Sequence, residues 1–365
     1  LMATAVFLIA AVTVGMITVA RRSPGIALLR RVAPAEAHEG DTVSVELEIT
    51  SARRLRNFIV SDAVHGLGVA RFAAATLGPP AVARYEVHCR ARGIYAVGPA
   101  EITLTDPFGL SERRLRAGAT DRLVVYPRIE RLAGIPEVRG LDPSVHSARP
   151  TFAPHGGEDF FTLREYQVGD DLRRVHWPSS ARRDTLVIKQ LEVPWQARAL
   201  VLLDVRAERY PVLEDFEHAV RGAASVVSHL HAGGFSPELW TAHGTSGPRP
   251  GSRYQQAMDT LATVRPKPRL DHDRTLARLR RKGVGGGALV FVTGNPDEGA
   301  MATVRMLGRD FSRTIVMVVG AGGDGSVETA LRRAGAVTVM AGPEGRWGPA
   351  WAMALEAAWS TASAG

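Results

Sequence analysis

The apolar residues of this chain change rhythm partway along, and the change dictates how it must divide. Ala199-Leu200-Val201-Leu202-Leu203 is an unbroken apolar run, the pattern of a strand buried on both faces of a parallel sheet. Phe216, Ala219, Val220, Ala223, Ala224, Val227 and Leu230 then recur at helical spacing, and Gly233-Gly234 end that helix. The alternation continues with strands expected over 238–241, 288–293, 314–319 and 336–340. Helices are expected between and after them, over 254–264, 274–281, 297–307, 326–333 and 347–360. Such a rhythm predicts a mainly parallel sheet with helices on both faces.

The residues before this region follow a period of two. Val43, Val45, Leu47 and Ile49 alternate with Ser44, Glu46 and Glu48, as in a half-buried strand. Further short runs at 58–61, 82–89, 94–97, 101–105 and 123–126 are separated by Gly78-Pro79-Pro80, Gly98-Pro99 and Asp106-Pro107. About seven short strands with turns between them predict a β-sandwich of immunoglobulin-like type. Residues 1–20 hold no charge and no proline, and Arg21-Arg22 and Arg30-Arg31 follow. That length and order predict a transmembrane helix with everything after it on the cytoplasmic side. A signal peptide would carry its charge before the apolar run. The expected organisation is an anchor with a basic flank (1–31), a β-sandwich (32–129), a linker with a charged motif (130–195) and an α/β domain (196–365).

Composition excludes several functions. The formal charge is +8, yet all basic residues except Lys189, Lys267 and Lys282 are arginines, dispersed along a chain with few aromatics. No nucleic-acid site is expected from that distribution. The single cysteine, Cys89, excludes an intramolecular disulfide and a multi-thiolate zinc site. The glycines of 283–287 precede a strand, with no lysine-serine pair after them, so they do not make a phosphate loop. His218, His229 and His231 lack metalloprotease spacing and read as packing or surface residues.

The densest chemistry lies in 157–182, where Arg164, Glu165, Tyr166, Asp170, Asp171, Arg173, Arg174, His176, Trp177 and Arg182 crowd together. An enzyme would use Glu165 or Asp171 as base and His176 as acid or nucleophile helper. No nucleophile elbow or cofactor loop accompanies them, and Ser179 and Ser180 follow Pro178 without a strand–turn–helix pattern. The structural reading has Asp170 or Asp171 capping a helical turn over 172–176. The arginines then pair with the carboxylates, and Tyr166 and Trp177 cover the guanidinium planes. These ten residues are therefore expected to form an interaction motif joining the two halves of the chain, with a side free for a partner. No catalytic residue and no cofactor are expected.

Several of these pieces, Leu163-Arg164-Glu165-Tyr166, the run from Gly169-Asp170-Asp171 to His176-Trp177 and Ser180-Ala181-Arg182, have counterparts in a known family. So do Arg92-Gly93-Ile94-Tyr95, Val97-Gly98-Pro99 and Asp106-Pro107-Phe108-Gly109-Leu110. On these residues the chain resembles the bacterial family catalogued as domain of unknown function 58. The resemblance implies a multidomain protein: an N-terminal transmembrane helix, an immunoglobulin-like β-sandwich, then a von Willebrand factor A-like α/β domain of Rossmann type. It further implies an adaptor or assembly factor at the inner membrane with its soluble domains in the cytoplasm. The implied partners are a MoxR-type AAA+ ATPase, other membrane proteins of the same system such as transglutaminase-like ones, and the bilayer through residues 1–20. A von Willebrand factor A-like domain would place an Asp-x-Ser-x-Ser metal motif at Asp204, but Arg206 and Glu208 stand in the serine positions. Gly294 stands where a further aspartate would be expected. Asp204 is thus a weak metal candidate, since a hard cation needs several oxygen ligands. The alternative is an enzyme or divalent-metal-dependent binder built on His176 and its acidic neighbours, or on Asp204.

Overall fold

A computed structural model describes residues 2–21, 25–52, 55–77, 80–106, 110–134, 161–166, 175–183, 185–191, 198–241, 251–268, 270–281, 287–320, 325–342 and 345–363. After helix α1 (Met2–Arg21) come ten strands. They are β1 (Ile26–Ala33), β2 (Glu36–His38), β3 (Thr42–Ser51), β4 (Leu55–Val64), β5 (Gly68–Leu77), β6 (Ala81–His88), β7 (Gly93–Val97), β8 (Ala100–Thr105), β9 (Glu112–Ala117) and β10 (Asp121–Tyr126). One sheet has the order β1-β3-β6. The other runs β2-β10-β7-β4-β8-β9, with β5 paired to β4. The alternation seen in β3 does its expected work: Val43, Val45, Leu47 and Ile49 face Val60, Ile102, Leu104 and Leu123 of the second sheet in one core.

A buried ion network ties the two sheets together. Arg30 of β1 forks onto Asp62 of β4 at 2.9 and 2.6 Å, and Tyr85 of β6 donates to the same carboxylate at 2.6 Å. Arg30 also reaches Asp121 at 2.8 Å and the carbonyls of Val97 and Ala119. Burial drives the Tyr85 hydroxyl pKa far up, and the neighbouring Asp62 adds to the rise. Gly98 is required here, because a Cβ on it would overlap the Arg30 guanidinium. Arg30, expected in the basic flank of a membrane span, is instead an interior residue of the sandwich.

The second unit opens with β11 (Phe161–Glu165), α2 (Trp177–Arg183) and β12 (Val187–Leu191). It continues through β13 (Arg198–Leu203), α3 (Leu213–Ala232), β14 (Ser236–Trp240), α4 (Arg253–Thr263), α5 (His272–Arg281) and β15 (Ala288–Thr293). It closes with α6 (Glu298–Leu307), β16 (Arg313–Val319), α7 (Ser326–Arg333), β17 (Val337–Ala341) and α8 (Trp347–Ser363). The five strands β14-β13-β15-β16-β17 form one parallel sheet. The apolar strands alternate between its two faces. Val201, Val290, Ile315 and Met317 pack with Phe216, Leu230, Leu261, Trp347 and Trp351 under α3, α4 and α8. Leu200, Leu289, Phe291 and Val316 pack with Leu276, Leu279, Val304, Leu307 and Leu331 under α5, α6 and α7.

The expected fold class needs correction. The chain is β-rich, with seventeen strands against eight α-helices among the described residues. Among those residues no helix is long and apolar enough to cross a membrane, which overturns the predicted transmembrane helix over residues 1–20. Helix α1 exists, but near its inner end Gly15 lies on the sandwich, where a Cβ would meet the Asp106 carboxylate and Ser111 Oγ at 3.3 Å. The α/β unit is a five-stranded parallel sheet with helices on both faces. In chain order the described parallel strands run 2-1-3-4-5, one of the common doubly wound orders.

The two units are joined through the 90–93 turn and the end of β10. Arg92, with its side chain 4% exposed, forks onto Glu217 of α3 at 2.7 and 3.0 Å. It also donates to the Leu261 and Val264 carbonyls at the end of α4, at 2.6 and 2.7 Å. Those carbonyls carry the negative end of the helix dipole. Glu39 accepts from the Arg92 backbone N–H and pairs with Arg221 of α3 at 2.9 Å, while Tyr126 bonds Asp259 and Gln255 of α4. Glu130, Leu132 and Gly134, expected in a linker, lie against the α/β unit: Glu130 N–H bonds Ser225 Oγ, and the Gly134 carbonyl accepts from His229 and Trp351.

Of the three histidines read as packing or surface residues, His218 of α3 is a packing residue. It is 3% exposed and stacks on Trp347 of α8 with ring centroids 4.8 Å apart. Burial lowers its pKa below the ordinary 6.5; Glu130 and Glu214 pull upward, Arg221 and Arg128 downward. A histidine depressed in the fold contributes stability that is complete above its unfolded value and is lost as pH falls below it. Stability should therefore drop as pH is lowered through 6.5 towards the depressed folded value, and His218→Phe should flatten that slope. Urea denaturation at a series of pH values measures it; an unchanged slope in the variant would remove His218 as the cause.

Candidate functional site

The motif segment forms a small unit of its own. Strand β11 pairs antiparallel with β12, Arg164 opposite Ile188 and Glu165 opposite Val187, and Val175 bridges to Ile188. The Tyr166 N–H bonds the Leu186 carbonyl and the His176 N–H bonds that of Val187, both at 2.8 Å. Buried Ser180 locks α2 to β12: its Oγ accepts from the Val187 N–H at 2.9 Å and donates to the His176 carbonyl at 3.1 Å. His176 Nδ1 lies 2.7 Å from Ser179 Oγ. The Ser179 and Ser180 N–H groups both point to the His176 carbonyl, so this contact belongs to the start of α2. Trp177 is 67% exposed, and Arg182 is exposed on the same short helix.

Of the expected interaction motif, Tyr166, His176, Trp177 and Arg182 are thus brought together with the backbone of Arg164 and Glu165. Asp170, Asp171, Arg173 and Arg174 lie outside the described residues, as does the cap expected from Asp170 or Asp171. The helical turn expected over 172–176 does not extend to its end, because Val175 is in a β-bridge and the helix begins at Trp177.

A second cluster stands where ligands of open parallel sheets collect, at the carboxyl ends of the adjacent strands β13 and β15. Asp204 is 4% exposed and is gripped by the Arg206 side chain, Nε to Oδ1 at 3.0 Å and Nη2 to Oδ2 at 2.8 Å. Thr293 Oγ1 donates to Asp204 Oδ2 at 2.9 Å. Arg206 also spans to Asp297 at 3.0 Å, and Arg209 reaches the same carboxylate at 3.0 Å. Asp297 caps α6 by accepting from the Ala300 N–H at 2.8 Å.

The charges of this cluster reinforce one another. Burial pulls the Arg206 pKa down, but its hydrogen bonds and charge contacts with Asp204 and Asp297 more than reverse the effect. For Asp297 burial acts upward, and the Ala300 N–H with the two arginines holds its pKa below the ordinary carboxylate value.

The place a cation would take beside Asp204 is held by a covalently attached guanidinium. Gly294 is hemmed in: a Cβ on it would overlap the Arg209 carbonyl oxygen and lie 2.8 Å from Tyr210 Cδ1. Among the described residues no group of three or more His, Cys, Asp or Glu is arranged to hold a metal ion. Sequence reasoning noted Arg206 as a competing charge but missed Asp297, which stands 91 positions away from it. The one available signal was the capping pattern of an aspartate just ahead of a predicted helix.

The stretch from β11 to the end of β16, holding both clusters, is what comparison with known proteins recognises. Residues 162–319 match the family described as Protein of unknown function DUF58. The chain is 29% identical over 143 residues to "Uncharacterized protein YeaD" of Bacillus subtilis (strain 168), covering 39% of this chain and 34% of that protein. It therefore spans about a third of the length of that relative. Among solved structures, the CARDB domain of PF1109 from Pyrococcus furiosus is 15% identical with a TM-score of 0.22, covering 28% of this chain and 88% of that one. The PKD domain of an M14-like peptidase from Thermoplasmatales archaeon SCGC AB-540-F20 is 13% identical with a TM-score of 0.18, covering 25% of this chain and 90% of that one. Likeness at that level carries no weight for fold or function. The DUF58 match begins inside β11, leaves out the sandwich, and stops short of β17 and α8.

Proposed function

We propose that the chain is a non-enzymatic docking module, an adaptor or assembly factor that works with a MoxR-type AAA+ ATPase through its motif segment. The observation that supports docking is Trp177, a large aromatic 67% exposed on a helix whose backbone is fixed by Ser180. An exposed tryptophan on a helix tied to its neighbouring strand is the kind of aromatic anchor found at interface hot spots. The ATPase as partner comes from the family resemblance, as does the adaptor role. The His176–Ser179 pair supports helix initiation better than catalysis, because both serine N–H groups share the His176 carbonyl.

The reading predicts that Trp177→Ala weakens binding of the purified ATPase by about 2–4 kcal/mol, the range of a hot-spot residue. Arg173→Glu/Arg174→Glu should weaken it as well. Pull-down and surface plasmon resonance on the full chain, with circular dichroism to establish folding, read both. Undiminished binding by both folded variants would sink the motif's role.

A further inference from the structure

The outer helices of the parallel sheet sort their charges by position. In a doubly wound unit each crossover helix runs opposite to the strands, so the carboxyl ends of α5, α6 and α7 gather at the amino-terminal edge of the sheet. The last turn of α5 holds Arg278, Arg280 and Arg281, that of α6 holds Arg305, and that of α7 holds Arg332 and Arg333. Arg309 joins them from the turn after α6, and all seven are exposed. The acids Asp271, Asp297, Glu298 and Glu328 stand at the opposite ends of the same helices. Asp310, beside Arg309, is an acid at the basic edge.

A helix carboxyl end favours a cation in its last turn. That accounts for one or two of these arginines per helix, but not for three on α5 or for Arg309 beyond α6. Arg332 is paired with Glu328 at 2.6 Å. Among the described residues Arg278, Arg280, Arg281, Arg305, Arg309 and Arg333 make no ion pair. On the other face of the sheet, α3 and α4 are engaged by Arg92, Glu39 and Tyr126 of the sandwich.

We propose that this arginine edge is a docking surface for an acidic protein segment. Guanidinium forks match carboxylates in bidentate geometry. Helices α5, α6 and α7 contain no Phe, Tyr or Trp, so they lack the stacking platforms of a single-strand nucleic-acid groove. None of the large exposed apolar side chains belongs to these three helices, so recognition there is carried by charge. The proposal concerns the chemistry of the surface and stands whether or not the partner is an ATPase.

Fluorescence anisotropy of the full chain with labelled poly-glutamate, and separately with a short duplex DNA, tests it across a salt series. The chain should bind poly-glutamate more tightly than the duplex, with affinity falling as salt rises. Arg278→Glu/Arg281→Glu/Arg305→Glu/Arg333→Glu should weaken peptide binding at least ~10-fold. The control Arg114→Glu/Arg116→Glu, on the sandwich, should change it less than about twofold. Arg281→Gln/Arg333→Gln gives the same readout with a smaller change of charge, should the fourfold variant not fold, and is expected to show a partial loss. No binding by the wild type, tighter binding of the duplex, or an equal loss in the sandwich control would each overturn the proposal. So would unchanged binding by the folded edge variant.

Discussion

Arg206→Ala should lower the free energy of unfolding by about 3–5 kcal/mol, the cost of leaving a buried charge without its partner. The Asp204 side chain is 1% exposed, and three of its contacts come from the Arg206 side chain. Removing the guanidinium leaves that carboxylate with the Thr293 hydroxyl and the Arg206 backbone N–H. It also takes one of two cations from Asp297. Urea denaturation of wild type, Arg206→Ala and the paired variant Asp204→Ala/Arg206→Met separates these effects. The paired variant replaces both charges with apolar groups and should recover much of the loss. If Arg206→Ala cost less than about 1 kcal/mol, the range of an exposed pair, the cluster would have to be solvated. The wild type should also weaken in acid. Because the folded Asp297 pKa is depressed, its contribution is complete above the ordinary value of 3.8 and is lost as pH falls through the lower folded value. Asp297→Asn should reduce that acid sensitivity.

Arg92→Ala should destabilise the chain by about 3 kcal/mol or more, and should split a single thermal transition into two. Among the described residues Arg92 is the most heavily engaged side chain between the units, with two bonds to Glu217, two to carbonyls at the end of α4, and a position 5.8 Å above the Phe216 ring. Each unit has its own core, so a weakened join should let each melt alone. Arg92→Lys should recover only a minor part, since an ammonium cannot reach a carboxylate and two carbonyls with a planar fork. Differential scanning calorimetry reads the outcome. One unsplit transition near the wild-type midpoint would show that Glu39–Arg221 and Tyr126–Asp259 suffice as the join.

What could be read in the sequence followed local periodicity. The run 199–203 became β13, and the helical spacing from Phe216 to Leu230 became α3, because both patterns are written within one element. The sandwich was visible through β3 but undercounted. Strand β5, with its alanines, and β9, with its arginines, carry little alternating contrast. Long-range pairing was not legible. Arg30 sits beside Arg31 in the sequence and looked like part of a basic flank, yet it is satisfied by Asp62 and Asp121, far along the chain. Arg92 was noticed as part of a family segment, but its acceptors on α3 and α4 lie 125 and more positions away. The run over 1–20 was read as a membrane span from its lack of charge, and among the described residues no helix is long and apolar enough to cross a membrane.

The crowding around Gly294 bears on design. A divalent ion could not be introduced at this sheet edge by changing one side chain, because the space for an aspartate at Gly294 is filled by the Arg209 carbonyl and the Tyr210 ring. Removing Arg206 alone would leave a carboxylate stranded, and adding the aspartate alone would collide with main chain. Introducing both changes would demand that the 207–209 turn move aside in the same step. A metal site engineered at this edge would therefore need coordinated changes at Arg206, Gly294 and the 207–209 turn.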